Sequence, residues 1–184
     1  FSHSARKIRE RLFALLSSAT NAAKEQLAAL GVAERKPAIH VVGSGSGGTG
    51  SAGMFDLLWL IQDVHIEICG DGARTRLWMF GPTPFQEIRG IDPDLRNRFH
   101  ANAVSAFREL LWGTGPFLNS MPRSRFVDPD VLARSSAVSE LFSRAFLIEN
   151  LLDDAGENAL IGSLSEMYAC TGELLCALLQ SDAA

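Results

Sequence analysis

Six of the sixteen glycines in this 184-residue chain fall within eleven residues, Gly43–Gly53. The run Gly43-Ser44-Gly45-Ser46-Gly47-Gly48-Thr49-Gly50-Ser51 follows a β-rich stretch, Ile39-His40-Val41-Val42, and leads into an apolar helical pattern. Glycine lets a backbone take positive φ and approach a ligand with no Cβ in the way. Successive N–H groups can then converge. With the free amides and positive dipole end of the next helix, they make an anion site. Thr49 and Ser51 add hydroxyl donors. A flexible linker is the plain alternative, but linkers rarely sit between a strand and a buried helix. The chemistry expected here is phosphate binding.

The identity of the phosphate ligand is a separate question. The chain has no GxxxxGK[ST] and no lysine after Lys36, which excludes a Walker-type loop. GxGxxG matches three times, from Gly43, Gly45 and Gly48, and such overlap makes each match weak. Asp71 lies about twenty residues on, where a dinucleotide site would place its ribose carboxylate, so a Rossmann site stays open. A hydrolase elbow fits poorly. Thr49-Gly50-Ser51-Ala52-Gly53 lacks the first glycine of GxSxG, and Ser51 lies nine residues past the strand.

Hydrophobic spacing supplies the elements that must position this loop. Ile8, Leu12, Leu16, Ala19, Ala23, Leu27 and Leu30 recur at three- and four-residue steps and predict a helix over Ser4–Leu30, stopped by Gly31. Arg6, Lys7, Arg9 and Arg11 crowd its start, where the macrodipole disfavours cations. The natural helix, or something acidic packed against it, is expected to extend upstream. Ala38–Val42 reads as a strand, Ser51–Val64 as a deeply buried helix, and His65–Cys69 as a short strand before a Gly70-Asp71-Gly72 turn. Arg74–Phe80 is a strand stopped by Gly81-Pro82-Thr83-Pro84. Asp92-Pro93 caps a helix to about Trp112, with Leu95, Phe99, Ala103, Phe107, Leu110 and Leu111 inward. A loop over Gly113–Pro129, a weak helix over Asp130–Ser139, a strand over Ala145–Glu149 and a long helix over Glu157–Gln180 complete the reading. This alternation predicts an α/β fold: three layers, a mainly parallel sheet with helices on both faces, and ligands at the strands' C-terminal ends.

Length and composition fit one domain with a sizeable core. The chain opens on Phe1 and not Met, which suggests a piece of a larger protein. Net charge is −4, giving no support for nucleic-acid binding. Charge is unevenly spread, however. Residues 1–36 carry seven basic and three acidic side chains, and residues 145–184 carry seven acidic and no basic ones. Two solvated faces explain this simply; head-to-tail self-association between unlike ends is the sharper reading. Cys69, Cys170 and Cys176 form no metal spacing and fit buried side chains in a reducing, cytoplasmic compartment. The longest apolar stretch, Met54–Ile61, is too short to span a bilayer. The four histidines lack acidic neighbours at metal-ligand spacing, and Glu109 and Glu149 are isolated carboxylates. Trp59, Trp78 and Trp112 read as core, Arg96 and Arg98 as exposed.

Gly47-Gly48-Thr49-Gly50-Ser51 resembles the core of the GGGTGSG loop shared by tubulins and the bacterial division protein FtsZ, with Ser46 for the first glycine and Ala52 for the last. His40-Val41-Val42-Gly43-Ser44 is similar to the strand before that loop in bacterial members. Leu77–Pro84 resembles the family's next strand and its Pro-containing ribose loop. His100-Ala101-Asn102-Ala103-Val104, with Glu109-Leu110, resembles the following helix, and Phe146-Leu147-Ile148-Glu149-Asn150 the strand ending in the guanine-binding Asn. The resemblance covers nearly the whole chain and implies that residues 1–184 are part of one nucleotide-binding domain, incomplete at both ends. It implies GTP or GDP as ligand, with Mg accompanying the nucleotide. Ser46, Gly47, Gly48, Thr49, Gly50 and Ser51 would hold phosphates, Asn150 would read guanine, and Asn158 matches a second base contact. An amide suits that task because its oxygen and NH₂ face donors and acceptors together.

The family's earlier Gly-rich loop has no counterpart upstream of residue 40, and Asp153, Asp154 and Asp182 do not form its hydrolysis-triggering acidic loop. No catalytic residue or metal ligand is therefore assigned, and GTPase activity is implied for a longer protein only. Three functions follow as expectations: a GTP-binding, polymer-forming tubulin/FtsZ-like protein, an NAD(P)-binding oxidoreductase domain using Asp71, and a non-hydrolysing tubulin-like scaffold. The added Cβ atoms of Ser46 and Ala52 keep the last open.

Overall fold

A computed structural model describes residues 3–31, 38–86, 92–113, 138, 140–150 and 163–183. Along these the chain forms α1 (His3–Ala29), β1 (Ala38–Ser44), α2 (Gly48–Cys69), β2 (Arg74–Phe80), α3 (Thr83–Gln86), α4 (Pro93–Trp112), β3 (Arg144–Ile148) and α5 (Leu164–Ala183). The strands pair in parallel in the order β1-β2-β3. Parallel neighbours need a crossover, and α2 supplies the first.

Strand alternation sorts the core. Val41 pairs with Leu77, and Gly43 with Met79, so these share one face. Val41, Leu77 and Met79 pack there with Met54, Phe55, Leu58 and Ile61 of α2 and Ala106 of α4. Trp78 and Phe80 point to the opposite face. Trp78 stacks on Phe146 at 4.1 Å, and Phe80 meets Tyr168 of α5 edge-on at 5.2 Å. Helices thus lie against both faces of a parallel sheet, and the fold is α/β.

Both ends of α2 differ from the sequence reading. The glycine run expected to precede a helix at Ser51 is partly helical, since α2 starts at Gly48. Its far end also overruns the expectation: His65–Cys69 is helix and not strand. Gly70, at φ +80°, stops it and donates its N–H to the Ile66 carbonyl. Polar His65 breaks the apolar pattern in sequence, yet it is buried and its Nδ1 bonds the Asp71 carbonyl at 2.8 Å. Tertiary burial overrides the local alternation.

The inward face of α1 is also rotated from the expected stripe. Ile8, Ala19 and Leu30 are exposed, whereas Ala5, Arg9, Leu12, Leu16, Thr20, Ala23 and Leu27 are covered. Arg9 is drawn in by Asp63, at 2.8 Å, and Glu67 of α2. Burial works to lower the Arg9 pKa, but these carboxylates outweigh it and raise it. They give an acidic partner to one of the four crowded cations, and it comes from α2 and not from upstream. On α4, Asp92 caps the Asp94 N–H at 2.8 Å and the helix ends at Trp112, as expected, with Gly113 at its C-cap. Leu95 and Leu111 are exposed, because the buried line runs through Ala103 and Ala106. Cys170 and Cys176 are exposed on α5 and not buried. Most of the loop over 113–129, all but residue 138 of the helix over 130–139 and the first residues of the expected last helix lie outside the described residues. Among the described residues no helix is long and apolar enough to cross a membrane.

Candidate functional site

Parallel pairing brings three connections to one edge of the sheet, where the strands end. These are the glycine loop after β1, Gly81–Pro84 after β2, and Glu149-Asn150 after β3. With β2 between them, the ends of β1 and β3 stand about 10 Å apart. The Gly45 N–H donates to the Phe80 carbonyl at 2.9 Å and the Gly81 N–H to the Ile148 carbonyl at 3.0 Å, so each connection is pinned to its neighbour.

The loop is shaped by small residues at named contacts. A Cβ at Gly50 would collide with the Ser44 carbonyl oxygen, so the first turn of α2 must be bare to lie against β1. A Cβ at Gly45 would press on Met79 and Ala106 at 3.1 and 3.3 Å. Gly47 and Gly48 differ, since among the described residues a Cβ there meets no packed neighbour within 4 Å. They border open space at the N-terminus of α2, where Gly47 is the cap residue and no side chain caps it. Thr49, Gly50 and Ser51 contribute their backbone to the first helical turn, with the positive dipole end beside them.

Ser44, Ser46 and Asn102 complete the loop. The Ser44 Oγ accepts from the N–H groups of Ser46 and Gly47, at 3.1 and 3.3 Å. Asn102 of α4 donates through Nδ2 to the Ser46 carbonyl at 3.0 Å. Ser46 is fully buried, so its extra Cβ is accommodated. Its Oγ has no hydrogen-bond partner among the described residues.

On the far side of the same edge, Asn150 is 5 % exposed. Its neighbour Glu149 accepts from the Thr83 N–H at 3.2 Å and packs on Gly81, where a Cβ would collide with its carboxylate. Tyr168, half exposed on α5, leans against Phe80 at the end of β2. Sequence reasoning passed over Ser44, Glu149, Tyr168 and the Asn102 contact. Glu149 had one usable signal, its place beside Asn150 at a strand end.

Other candidates part company with the site. Asp71 follows α2 and precedes β2, hence it lies at the opposite edge, beyond a 22-residue helix about 33 Å long. It cannot reach the ribose of a dinucleotide held at the glycine loop. Asn158 lies outside the described residues. Among the described residues no His, Cys, Asp and Glu cluster suits a metal ion. Glu109 of α4 has its pKa raised, first by burial and then by the charge of Asp56 on α2.

No curated protein and no solved structure matches the chain. The tubulin-like family model matches residues 1–152. That match contains the glycine loop, all three strands and Asn150. Since it covers most of the 184 residues, the chain belongs to the tubulin-like family.

Proposed function

We propose that residues 1–184 are part of one guanine-nucleotide-binding domain of the tubulin/FtsZ type, with the nucleotide lying along the edge where β1, β2 and β3 end. The observation that carries this reading is the meeting of the glycine loop and Asn150 on that one edge. Gly47 and Gly48 border space that a Cβ would fill, which suits an approaching phosphate. In this reading the backbone of Ser46, Gly47, Gly48, Thr49, Gly50 and Ser51 holds phosphates and any accompanying Mg. Asn150 reads guanine, Asn158 is a second base contact, and Tyr168 offers a ring at the same edge. The domain assigns binding and no catalytic residue. The opposite charge of the chain's two ends supports head-to-tail self-association, and the sparse, odd cysteine count fits a cytoplasmic setting.

Titration of the chain with fluorescent GTP, ATP and NADH tests the reading. GTP binding that Asn150→Ala weakens is expected. NADH binding without GTP binding would sink it, and binding of no nucleotide would favour the scaffold. Light scattering and sedimentation with GTP then test assembly.

A further inference from the structure

We propose that Ser44 is a latch on the glycine loop, and that a phosphate oxygen binds by taking the place of the Ser44 hydroxyl. This rests on the nucleotide reading above and deepens it. Two amides, of Ser46 and Gly47, converge on the one Ser44 Oγ at 3.1 and 3.3 Å. Converging backbone N–H groups of this kind form an anion receptor. Here a neutral hydroxyl fills it through long hydrogen bonds. An anionic oxygen makes shorter bonds of roughly twice the strength, so it displaces the hydroxyl from the same two donors.

Ser46 supplies the second observation. Its side chain is wholly buried and its Oγ finds no partner among the described residues. A buried hydroxyl without a partner is costly, and the latched loop therefore holds a defect that another local arrangement removes. In this proposal the phosphate oxygen admitted at the two amides, one of them Ser46's own, becomes the acceptor that the Ser46 hydroxyl lacks. The surrounding backbone does not need to follow. Gly50 is packed against Ser44, and Asn102 holds the Ser46 carbonyl. The exchange is confined to rotation of the Ser44 side chain and small shifts of two amides. Ser44 is thus a positioning residue that sets anion affinity without choosing the base.

Calorimetric titration of the chain with pyrophosphate and with GDP tests the latch. Ser44→Ala is expected to bind both about three- to tenfold more tightly, the effect of removing a competing internal hydrogen-bond acceptor. Ser44→Thr keeps the hydroxyl and should bind as the unsubstituted chain does. A gain in affinity on deleting a side chain is the opposite of what structural damage produces. Equal or weaker binding by Ser44→Ala, while the unsubstituted chain binds, overturns the latch and leaves the nucleotide reading standing. Uptake by Ser44→Ala alone supports the latch. Binding by neither chain sinks the latch and the nucleotide reading together. Should Ser44→Ala fail to fold, the amide resonances of Ser46 and Gly47 in the unsubstituted chain decide: they shift with pyrophosphate if the partner changes, and static resonances overturn the proposal.

Discussion

Asn102 in the middle of α4 donates its side-chain amide to the backbone carbonyl of Ser46, 56 residues earlier in the chain. The bond makes α4 a strut for the glycine loop and turns one loop carbonyl toward the helix. Asn102→Asp sets a carboxylate against that carbonyl and is expected to cost about 1–3 kcal/mol of stability. It should also weaken GDP binding, whereas Asn102→Ala costs about 1 kcal/mol. Urea denaturation with parallel GDP titration checks both, and variants unchanged in both would remove the strut.

Glycines a few residues apart are expected to fail in different ways. Gly50→Ala drives a methyl into the Ser44 carbonyl and should unseat the start of α2 from β1. Circular dichroism melting would register this as a large loss of Tm. Gly48→Ala meets no atom of a packed neighbour within 4 Å among the described residues and should leave Tm unchanged or slightly raised. Its methyl stands in the space assigned to phosphate, and GDP affinity should fall about tenfold, equivalent to ~1.4 kcal/mol.

Gln62, fully buried in α2, joins three segments through one amide. It accepts from the Ala73 N–H at 2.8 Å and donates to the carbonyls of Ala73 and Leu141, at 3.1 and 3.2 Å. Gln62→Leu keeps the bulk but strands those backbone groups away from water, at an expected cost of about 2–4 kcal/mol. Equilibrium unfolding in urea measures it, with nucleotide binding by the folded fraction unaffected.

Glu109 gives a pH signature. Its pKa is raised in the folded chain, so between the ordinary glutamate pKa and the raised one the native state holds more proton than the unfolded state. Stability therefore falls as pH rises through that window. Glu109→Gln should melt higher than the unsubstituted chain at pH 7, and the gain should vanish below about pH 4, where the carboxyl is protonated in both states. The side chain is partly exposed and solvent-screened, which keeps the gain below about 1 kcal/mol.

What was legible in the sequence was local. Asp92-Pro93 and Gly113 announce both ends of α4 because capping needs only neighbours in the chain. The alternation of elements likewise led to a parallel sheet with its glycine loop at the edge where the strands end. The errors have one physical source, partners distant in sequence. His65 looks like an interruption until the Asp71 carbonyl meets it inside. Arg9 reads as one of four cations crowding a helix start, and nothing nearby in the chain tells that Asp63 and Glu67 of α2 cover it. Glu149 looks isolated because the amide that it holds, at Thr83, is 66 residues away. Ser44 lies within the motif itself, but side-chain rotation decides whether it helps or opposes a ligand, and spacing does not report rotation.

The length of α2 has an engineering consequence. Its first turn lies at the edge where the strands end and where the nucleotide is proposed to bind, while Gln62, His65 and the Gly70 stop work toward the opposite edge, where β2 and the approach to β3 begin. Proteins tuned for activity commonly sacrifice stability because both demands fall on the same residues. Apart from Gly50, which serves both, the two demands here fall on opposite ends of one rod. Substitutions that harden the lower edge can be combined with substitutions that retune the upper one, and their effects should add.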